Sequence, residues 1–512
     1  MAAYTRSSRD GGNIDVLFTH SWHLWSDPKQ AERRQPYPPL GTLYAAALAR
    51  ESGFSVAMFD TMLDDPAVGF EDALDRLRPK LVVICEDSFN FISKMCLTQV
   101  REVSFTMLES AQPRGVPVVI HGSDSTDNAL EYLHRGFAAV LQGECETTLI
   151  ELLNAYLRRS ETQGWSFAGL NYLDAAGGLV STGRRRPSVE LDRYPAPARD
   201  LIRMESYRAI WRERHGRAST NLIASRGCPF HCNWCAKPIF GNKFALRSPE
   251  LVAAEMRMLK QKYEIEHLWF ADDVFALDRH WVKDFAQAVG RRHAELPFKI
   301  QTRADLLSVE TVEALRLSGC EEAWLGAESG SQKILNAMDK GLSVAAIERA
   351  RDRLGNAGIR AAFFLQFGYP GESLSEIEET VALVRRTMPD DIGVSVSYPL
   401  PGTVFHERVH REMGLKHHWR HSDDLTAMFR AAYTDEFYRA LRNALHAEVT
   451  QYTAPEDREA KENLSALWSS FYAMEERCRN RFPTALPVLQ QSSNDATAQC
   501  AVKNGSAEEC VA

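Results

Sequence analysis

No apolar run in this 512-residue sequence approaches the ~20 residues of a membrane-spanning helix. The stretch from Met1 to Asn13 is polar and lacks the apolar core of a secretory signal, so the chain is expected to be cytoplasmic. Positive charge is not in excess. Sixty Lys and Arg against 68 Asp and Glu leave a formal net charge of −8, which argues against general nucleic-acid affinity. Ten cysteines in a chain this long do not make a small disulfide-stapled scaffold. Cys85, Cys96, Cys145 and Cys320 stand singly in or beside apolar segments and are expected to be small buried hydrophobes. Cys478, Cys500 and Cys510 are late, widely spaced and form no ligand pattern. With 45% hydrophobic and 25% charged residues, the composition is that of an ordinary globular protein with room for two or three domains.

Three other cysteines are crowded together. Ser225-Arg226-Gly227-Cys228-Pro229-Phe230-His231-Cys232-Asn233-Trp234-Cys235 follows the short apolar run 221–224 and sets Cys228, Cys232 and Cys235 at C-x-x-x-C-x-x-C. Gly227 and Pro229 suit a sharp loop leaving a strand. A closed zinc site and a fully ligated [4Fe–4S] cluster each take four protein ligands, and only three thiols stand here. Three thiolates on a four-iron cluster leave one iron open to a further ligand. A zinc loop with His231 as fourth ligand, or three structural cysteines, are the alternatives.

At these residues the chain resembles the radical S-adenosylmethionine (SAM) superfamily, whose signature is C-x-x-x-C-x-aromatic-C, with Trp234 in the aromatic slot. The resemblance implies a [4Fe–4S] cluster on Cys228, Cys232 and Cys235. It implies too that the open iron binds the amino and carboxylate groups of SAM, whose reductive cleavage gives methionine and a 5′-deoxyadenosyl radical. Such chemistry belongs to the cofactor, while the protein supplies position and exclusion. A reducing donor such as flavodoxin or ferredoxin is implied with it.

From residue 14 to about 157, apolar runs alternate with helical patterns. Strands are expected at 14–19, 56–60, 81–85, 116–122 and 138–143, with helices opening at Pro38-Pro39-Leu40-Gly41 and running over 70–77 and 147–157. This alternation predicts a doubly wound parallel sheet with its ligand crevice at the strands' carboxyl ends. The crevice loops would be 21–27, 38–42, 86–88, 122–125 and 143–146, where glycine permits close approach and hydroxyls reach polar edges. Their order resembles the cobalamin-binding domain of cobalamin-dependent radical SAM proteins, above all Pro38-Pro39-Leu40-Gly41 and Gly143-Glu144-Cys145-Glu146. The resemblance implies cobalamin contacts at Leu40, Gly41, Ser88, Gly122, Ser123, Gly143 and Glu144. The Asp-x-His-x-x-Gly motif of many cobalamin domains is missing, which suggests cobalt without a lower histidine; His20 and His23 read as surface or hydrogen-bonding side chains. Beyond them, 170–173 and 179–181 flank a Gly-rich turn and predict a hairpin. Arg184-Arg185-Arg186 reads as a solvated face, and Pro195, Pro197 and Asp200 mark a linker.

Strand–helix units recur between about 215 and 410, with a helix at 249–263 and strands at 267–273, 298–303, 322–329, 360–368 and 392–398. They predict a partial or full parallel barrel whose functional groups gather at the carboxyl ends of its strands. Those ends carry Asp272 and Asp273, Arg303 and Asp305, Glu328 and Ser329, the segment 368–372 and the segment 399–403. SAM offers an ammonium, a carboxylate, a ribose diol and an adenine, which such groups complement. The resemblance to radical SAM barrels assigns SAM contacts to Asp272, Asp273, Arg303, Glu328 and Ser329, with Gly368, Gly371 and Glu372 on the adenine side or in a turn.

His417, His418 and His421 precede amphipathic helices expected over 425–449 and 457–479, with a cap at Ser422 or Asp423 preferred to a histidine metal site. From Gln490 the polar composition predicts a disordered tail. The expected fold class is therefore α/β: a doubly wound sheet of cobalamin-binding type over 13–195, a radical SAM barrel over 196–410, a helical segment over 411–485 and a tail over 486–512. The expected activity is methylation of an unactivated carbon of a small-molecule or lipid-like substrate, with SAM and cobalamin as cofactors. The order of segments also resembles the anaerobic magnesium-protoporphyrin ester cyclase branch, so oxidative ring formation or rearrangement is a second expectation. A zinc-bound, non-catalytic binding protein is a third, from another class.

Overall fold

Seven short strands form the first sheet of the computed structural model, which describes residues 13–90, 95, 97–413, 418–422, 425–453 and 458–484. They are β1 (Val16–Thr19), β2 (Val56–Met58), β3 (Leu81–Cys85), β4 (Val118–His121), β5 (Ala139–Leu141), β6 (Leu170–Leu173) and β7 (Leu179–Ser181). The spatial order is β2-β1-β3-β4-β5-β6-β7; the first five are parallel and the last two antiparallel. β3 shows why both faces are covered, since all five of its residues are buried. Val82 and Ile84 pack with Phe70, Leu74 and Leu108 on one face, while Leu81, Val83 and Cys85 join the cluster holding Leu43 and Ala46 on the other. Burying each such aliphatic side chain contributes about 1.5–3 kcal/mol, and a strand apolar on both sides needs helices on both. The expected hairpin is β6–β7 with the bounds read from the sequence. The arginine run is not simply solvated: Arg185 pairs with Glu151 and donates to the Ala168 carbonyl, and Arg184 donates to the Pro238 carbonyl.

The second sheet is wholly parallel and open. Its strands are β8 (Ser219–Leu222), β11 (His267–Phe270), β12 (Phe298–Thr302), β13 (Cys320–Glu328), β14 (Arg360–Phe367) and β15 (Asp391–Val396), in the order β15-β14-β13-β12-β11-β8. A two-stranded ribbon, β9 (Ser225–Arg226) with β10 (Ala245–Leu246), brackets the cysteine loop. The barrel is thus partial. Along β12, Phe298, Ile300 and Thr302 are buried while Lys299 and Gln301 between them are half-exposed, the period-two pattern of a sheet with helices on one face. The crossover helices start where side chains cap them: Asp278 accepts from the His280 and Trp281 amides, Ser308 from Thr311, and Ser373 with Glu376 forms a capping box.

Two C-terminal helices follow, Asp435–Thr453 and Arg458–Ala473. The first seats Phe437, Tyr438, Leu441 and Leu445 in the core shared with the barrel. The helix expected from 425 begins ten residues later. Leu425, Met428 and Phe429 have helical spacing, but Leu425 sits at φ 44°, Ala431 and Tyr433 are buried two apart, and Asp435 takes the Ala427 amide at 3.0 Å. Ser422 caps no helix; its amide and hydroxyl both bind Asp27, at 2.6 and 2.9 Å. Among the described residues, no helix is long and apolar enough to cross a membrane. The expectations for residues 1–12, Cys96, His417, Asp423, the start of the last helix at 457, Cys500, Cys510 and the tail lie outside the described residues.

Candidate active site

The cysteine loop leaves the carboxyl edge of the barrel sheet after β8. Gly227 makes the turn at φ +78°, and a Cβ there would stand 2.1 Å from the Lys243 carbonyl oxygen, so no other residue fits. Cys228, Cys232 and Cys235 are free and half-buried. No three Cys, His, Asp or Glu ligand atoms around this loop come within 4.8 Å of one another, among the described residues. Burial pushes the Cys235 thiol up to about 12, with Asp273 adding to it and Lys237 opposing; Cys228 is raised for the same chief reason. Metal loading here must therefore displace protons.

One residue the sequence reading passed over anchors the loop. The Asn233 amide donates to the Met338 carbonyl at 3.0 Å and its side-chain amide to the Ala337 carbonyl at 2.8 Å. Its side-chain oxygen accepts from Tyr369 at 2.8 Å, and its carbonyl accepts from the Phe405 amide at 3.0 Å. Nothing in the local sequence marks Asn233, because all four partners are distant in the chain. Cations stand close by. Arg303 lies 3.8 Å over the Phe230 ring, with one guanidinium nitrogen 4.0 Å from the Cys232 sulfur, and is held by Asp305 at 2.9 Å. Lys340 is buried against Glu328 at 2.7 Å. Glu328 itself takes φ +60°, an uncommon conformation for a side-chain-bearing residue at a strand end.

The five expected SAM contacts divide. Asp273 is exposed, and its charge reaches Cys228 and Cys235. Arg303 and Glu328 stand at the ends of β12 and β13 as just described. Asp272 turns inward: it is 1% exposed and accepts from the Ala224 amide at 3.1 Å and from the Ser225 hydroxyl, bracing the entry to the cysteine loop. Ser329 is fully buried, paired with Thr380 at 3.1 Å and with the Ser331 amide at 3.1 Å. Neither presents its polar atom to the open edge.

Burial lifts the Asp272 carboxyl to about 7 against the hydrogen bonds that favour its anion. In the unfolded chain it ionises near 3.8, so the unfolded state releases its proton first as pH rises. This group therefore stabilises the fold fully below pH 3.8, loses that contribution between 3.8 and about 7, and adds nothing further above. The loss is on the order of 4 kcal/mol. Asp272→Asn is expected to remove this slope. Chemical denaturation of both proteins at a series of pH values should show the wild type losing stability relative to the variant across that window; parallel profiles would contradict the assignment.

The carboxyl edge of the first sheet faces the same region. Glu86, Asp87, Ser88, Gly122, Ser123 and Ser125 line a crevice there. The Ser21 amide donates to one oxygen of the buried Glu86 carboxyl at 3.3 Å, and the Ser21 side chain lies beside the same carboxyl. Gly122 has no side chain where a Cβ would lie 2.9 Å from Glu86 Cγ, and the Gly41 amide donates to Asp87 at 3.0 Å. Leu40 is fully buried beneath this edge. His20 and His23 are hydrogen-bonding residues here: His20 is buried 3.2 Å from Asp60, and His23 is 2.8 Å from the Thr61 carbonyl.

Glu144 departs from the expected cradle. It is bonded to Arg226 at 2.6 Å and to the Ser188 amide, while Glu146 takes the other arm of Arg226 at 2.7 Å. The guanidinium is 3% exposed and lies within 4.9–5.7 Å of the ring centres of Tyr44, Phe89, Tyr194 and Phe240. Gly143-Glu144-Cys145-Glu146 thus grips the residue two places before Cys228. A second tie is the Asn221 side chain on β8, which donates to the Pro38 carbonyl at 2.8 Å.

Residues 222–384 match the Radical SAM superfamily. An uncharacterized methyltransferase of Pyrococcus horikoshii is 27% identical over 75% of this chain and 81% of its own. The anaerobic magnesium-protoporphyrin IX monomethyl ester cyclase of Rubrivivax gelatinosus is 25% identical over 75% of this chain and 68% of its own. Among solved structures, the radical SAM methyltransferase TsrM of Kitasatospora setae, with cobalamin and a [4Fe–4S] cluster bound, superposes with a TM-score of 0.65 at 19% identity, covering 79% of each chain. Cysteine loop, open parallel barrel and sequence match agree: residues 222–384 form a domain that matches the radical SAM superfamily, and the chain has the fold of the cobalamin-bound methyltransferase it resembles.

Proposed function

We propose that this chain is a cobalamin-dependent radical SAM enzyme that methylates an unactivated carbon of a small-molecule or lipid-like substrate. The observation that carries the reading is the abutment of two carboxyl edges, the cysteine loop on one and the crevice at Glu86, Ser88 and Gly122 on the other, joined through Arg226. When bound, the cluster with SAM supplies a 5′-deoxyadenosyl radical and the corrinoid supplies a carrier for the methyl group. Cys228, Cys232 and Cys235 are the cluster ligands in this reading. Asp273 is the exposed carboxylate assigned to the SAM ammonium, and Arg303 and Glu328 stand at the neighbouring strand ends. Asp272 and Ser329 act from behind, holding the loop and the β13 end in place.

The first-sheet crevice offers polar groups to such a cofactor. Glu86, Ser88, Ser123 and Ser125 present oxygens along it, and Gly122 keeps its backbone free of a side chain there. Leu40, Gly41, Ser88, Gly122, Ser123 and Gly143 form the cradle, with Glu144 reassigned to bracing. Segments 13–195, 196–410 and 411–485 serve as corrinoid-binding, radical-generating and covering units. The helix Asp435–Thr453 closes the barrel edge and excludes water, as radical chemistry requires. The reductant is an external low-potential donor such as flavodoxin or ferredoxin.

The test is anaerobic incubation of the full chain, reconstituted with iron, sulfide and cobalamin, with reductant, methyl-deuterated SAM and a small-molecule extract of the native cells. S-adenosylhomocysteine and 5′-deoxyadenosine are expected together, with label carried into a third small molecule. Deoxyadenosine without S-adenosylhomocysteine would instead place the chain with cyclases such as the Rubrivivax relative. Neither product, with zinc in place of iron, would make it a binding protein.

A further inference from the structure

The structure brings together residues that stand far apart in sequence. Cys85 ends β3, His121 ends β4, and Cys145 lies in the turn before the helix Glu146–Leu153. Their ligand atoms all fall within 4.8 Å of one another, and each residue is 1–3% exposed. The surroundings are aliphatic: Val83, Val119, Leu141 and Leu149 belong to the same cluster. Packing alone would be served by more such residues, yet three separate elements each contribute a thiol or an imidazole at this point.

From this convergence we propose that Cys85, His121 and Cys145 supply three ligands of a zinc site in the N-terminal sheet, separate from the cysteine loop, with a water as the fourth ligand. The distances suit it. Cys85 Sγ lies 3.5 Å from His121 Nδ1. On a tetrahedral zinc with bonds of about 2.3 Å to sulfur and 2.0 Å to nitrogen, two such ligands stand about 3.5 Å apart. His121 Nε2 is 2.8 Å from the Gly143 carbonyl, which can only accept, so Nε2 carries a proton and Nδ1 is the ring nitrogen left to take a metal. An outer hydrogen bond to a carbonyl of this kind orients a metal-bound imidazole.

Charge selects the ion. Binding displaces the two thiol protons and any proton on Nδ1, and two thiolates, one neutral imidazole and a divalent cation sum to zero, the balance a buried site requires; a monovalent soft ion would leave a buried negative charge. The ion would tie β3 and β4 to the turn whose Glu144 and Glu146 grip Arg226. It is thus a brace beneath the junction with the cysteine loop.

The experiment uses the full chain, purified without oxygen from zinc-replete cells, with its iron–sulfur cluster assembled so that Cys228, Cys232 and Cys235 are occupied. Mass spectrometric metal analysis is expected to find one zinc per chain beside the iron. Zinc-edge X-ray absorption should show two sulfurs at about 2.3 Å and two light atoms, the imidazole nitrogen and the water oxygen, near 2.0 Å. Cys145→Ser should lose the zinc, and His121→Cys, offering three thiolates, should keep it with a third sulfur in the spectrum. Zinc absent from the wild type overturns the proposal, as does wild-type zinc bound by three sulfurs or by none. Zinc retained unchanged in Cys145→Ser overturns it too.

Discussion

Cys232→Ala is expected to abolish 5′-deoxyadenosine formation while leaving the first sheet folded. Two thiolates cannot hold a four-iron cluster that offers one corner to SAM, so the loss is all-or-none and the product should fall below detection. The fold should barely notice. Cys232 is half-buried on a loop held independently by the four hydrogen bonds of Asn233 and by the stacking of Arg303 on Phe230. Substitutions of that kind usually change stability by about 0.5 kcal/mol or less. Iron analysis should show the cluster diminished or absent, and urea unfolding should match the wild type. Retained SAM cleavage would show that the cysteine loop is not the cluster site. Wholesale unfolding would make Cys232 a structural residue.

Arg226→Met should be the most destabilising single change at the junction. Arg226 is one buried cation between two buried carboxylates, with aromatic rings on every side. Removing one member of such a group costs about 3–5 kcal/mol, because the remaining charges stay buried without compensation. Here two like charges would remain. Glu144 is raised already by burial, with Glu146 adding and Arg226 opposing, and without the arginine its carboxyl would be driven further toward the neutral form. Urea unfolding at pH 8 should therefore show the full loss and at pH 5 a smaller one. The triple change Arg226→Met, Glu144→Gln, Glu146→Gln should recover most of the stability, since it removes all three buried charges together. A single-variant loss below about 1 kcal/mol, the value typical of exposed pairs, would show that the clamp is not sealed from water. Because Gly227 and Cys228 follow directly, the variant should also assemble less iron than the wild type under the same reconstitution.

What could be read from the chain alone was whatever lies close together along it. C-x-x-x-C-x-aromatic-C is a local pattern, and a loop of eight residues can gather its own sulfurs. β3 and the β6–β7 hairpin were legible to the residue, because five consecutive apolar residues between polar ends and a Gly-rich turn leave few alternatives. The alternation of strands and helices likewise foretold two parallel sheets, one covered on both faces and one curled into part of a barrel. Helical spacing misled at 425–434, where burial is dictated by neighbours remote in sequence.

Partnership was decided only in three dimensions. Asp272 and Asp273 are adjacent in sequence at a strand end, but alternation sends one into the core and the other to the open edge. The two acids of Gly143-Glu144-Cys145-Glu146 looked like a cofactor cradle, and the fold gives them to Arg226. Cys85 and Cys145 looked solitary, and the fold sets them beside His121. Sequence by itself thus determined the resemblance to radical SAM proteins, the order of strands and helices along the chain, and the spacing of the three loop thiols, since these depend on spacing and hydrophobic period. Tertiary structure decided which charged and thiol groups face solvent, which face each other and which brace the junction. A buried polar group is satisfied by whatever folding brings within about 3 Å of it, and separation along the chain says little about that distance.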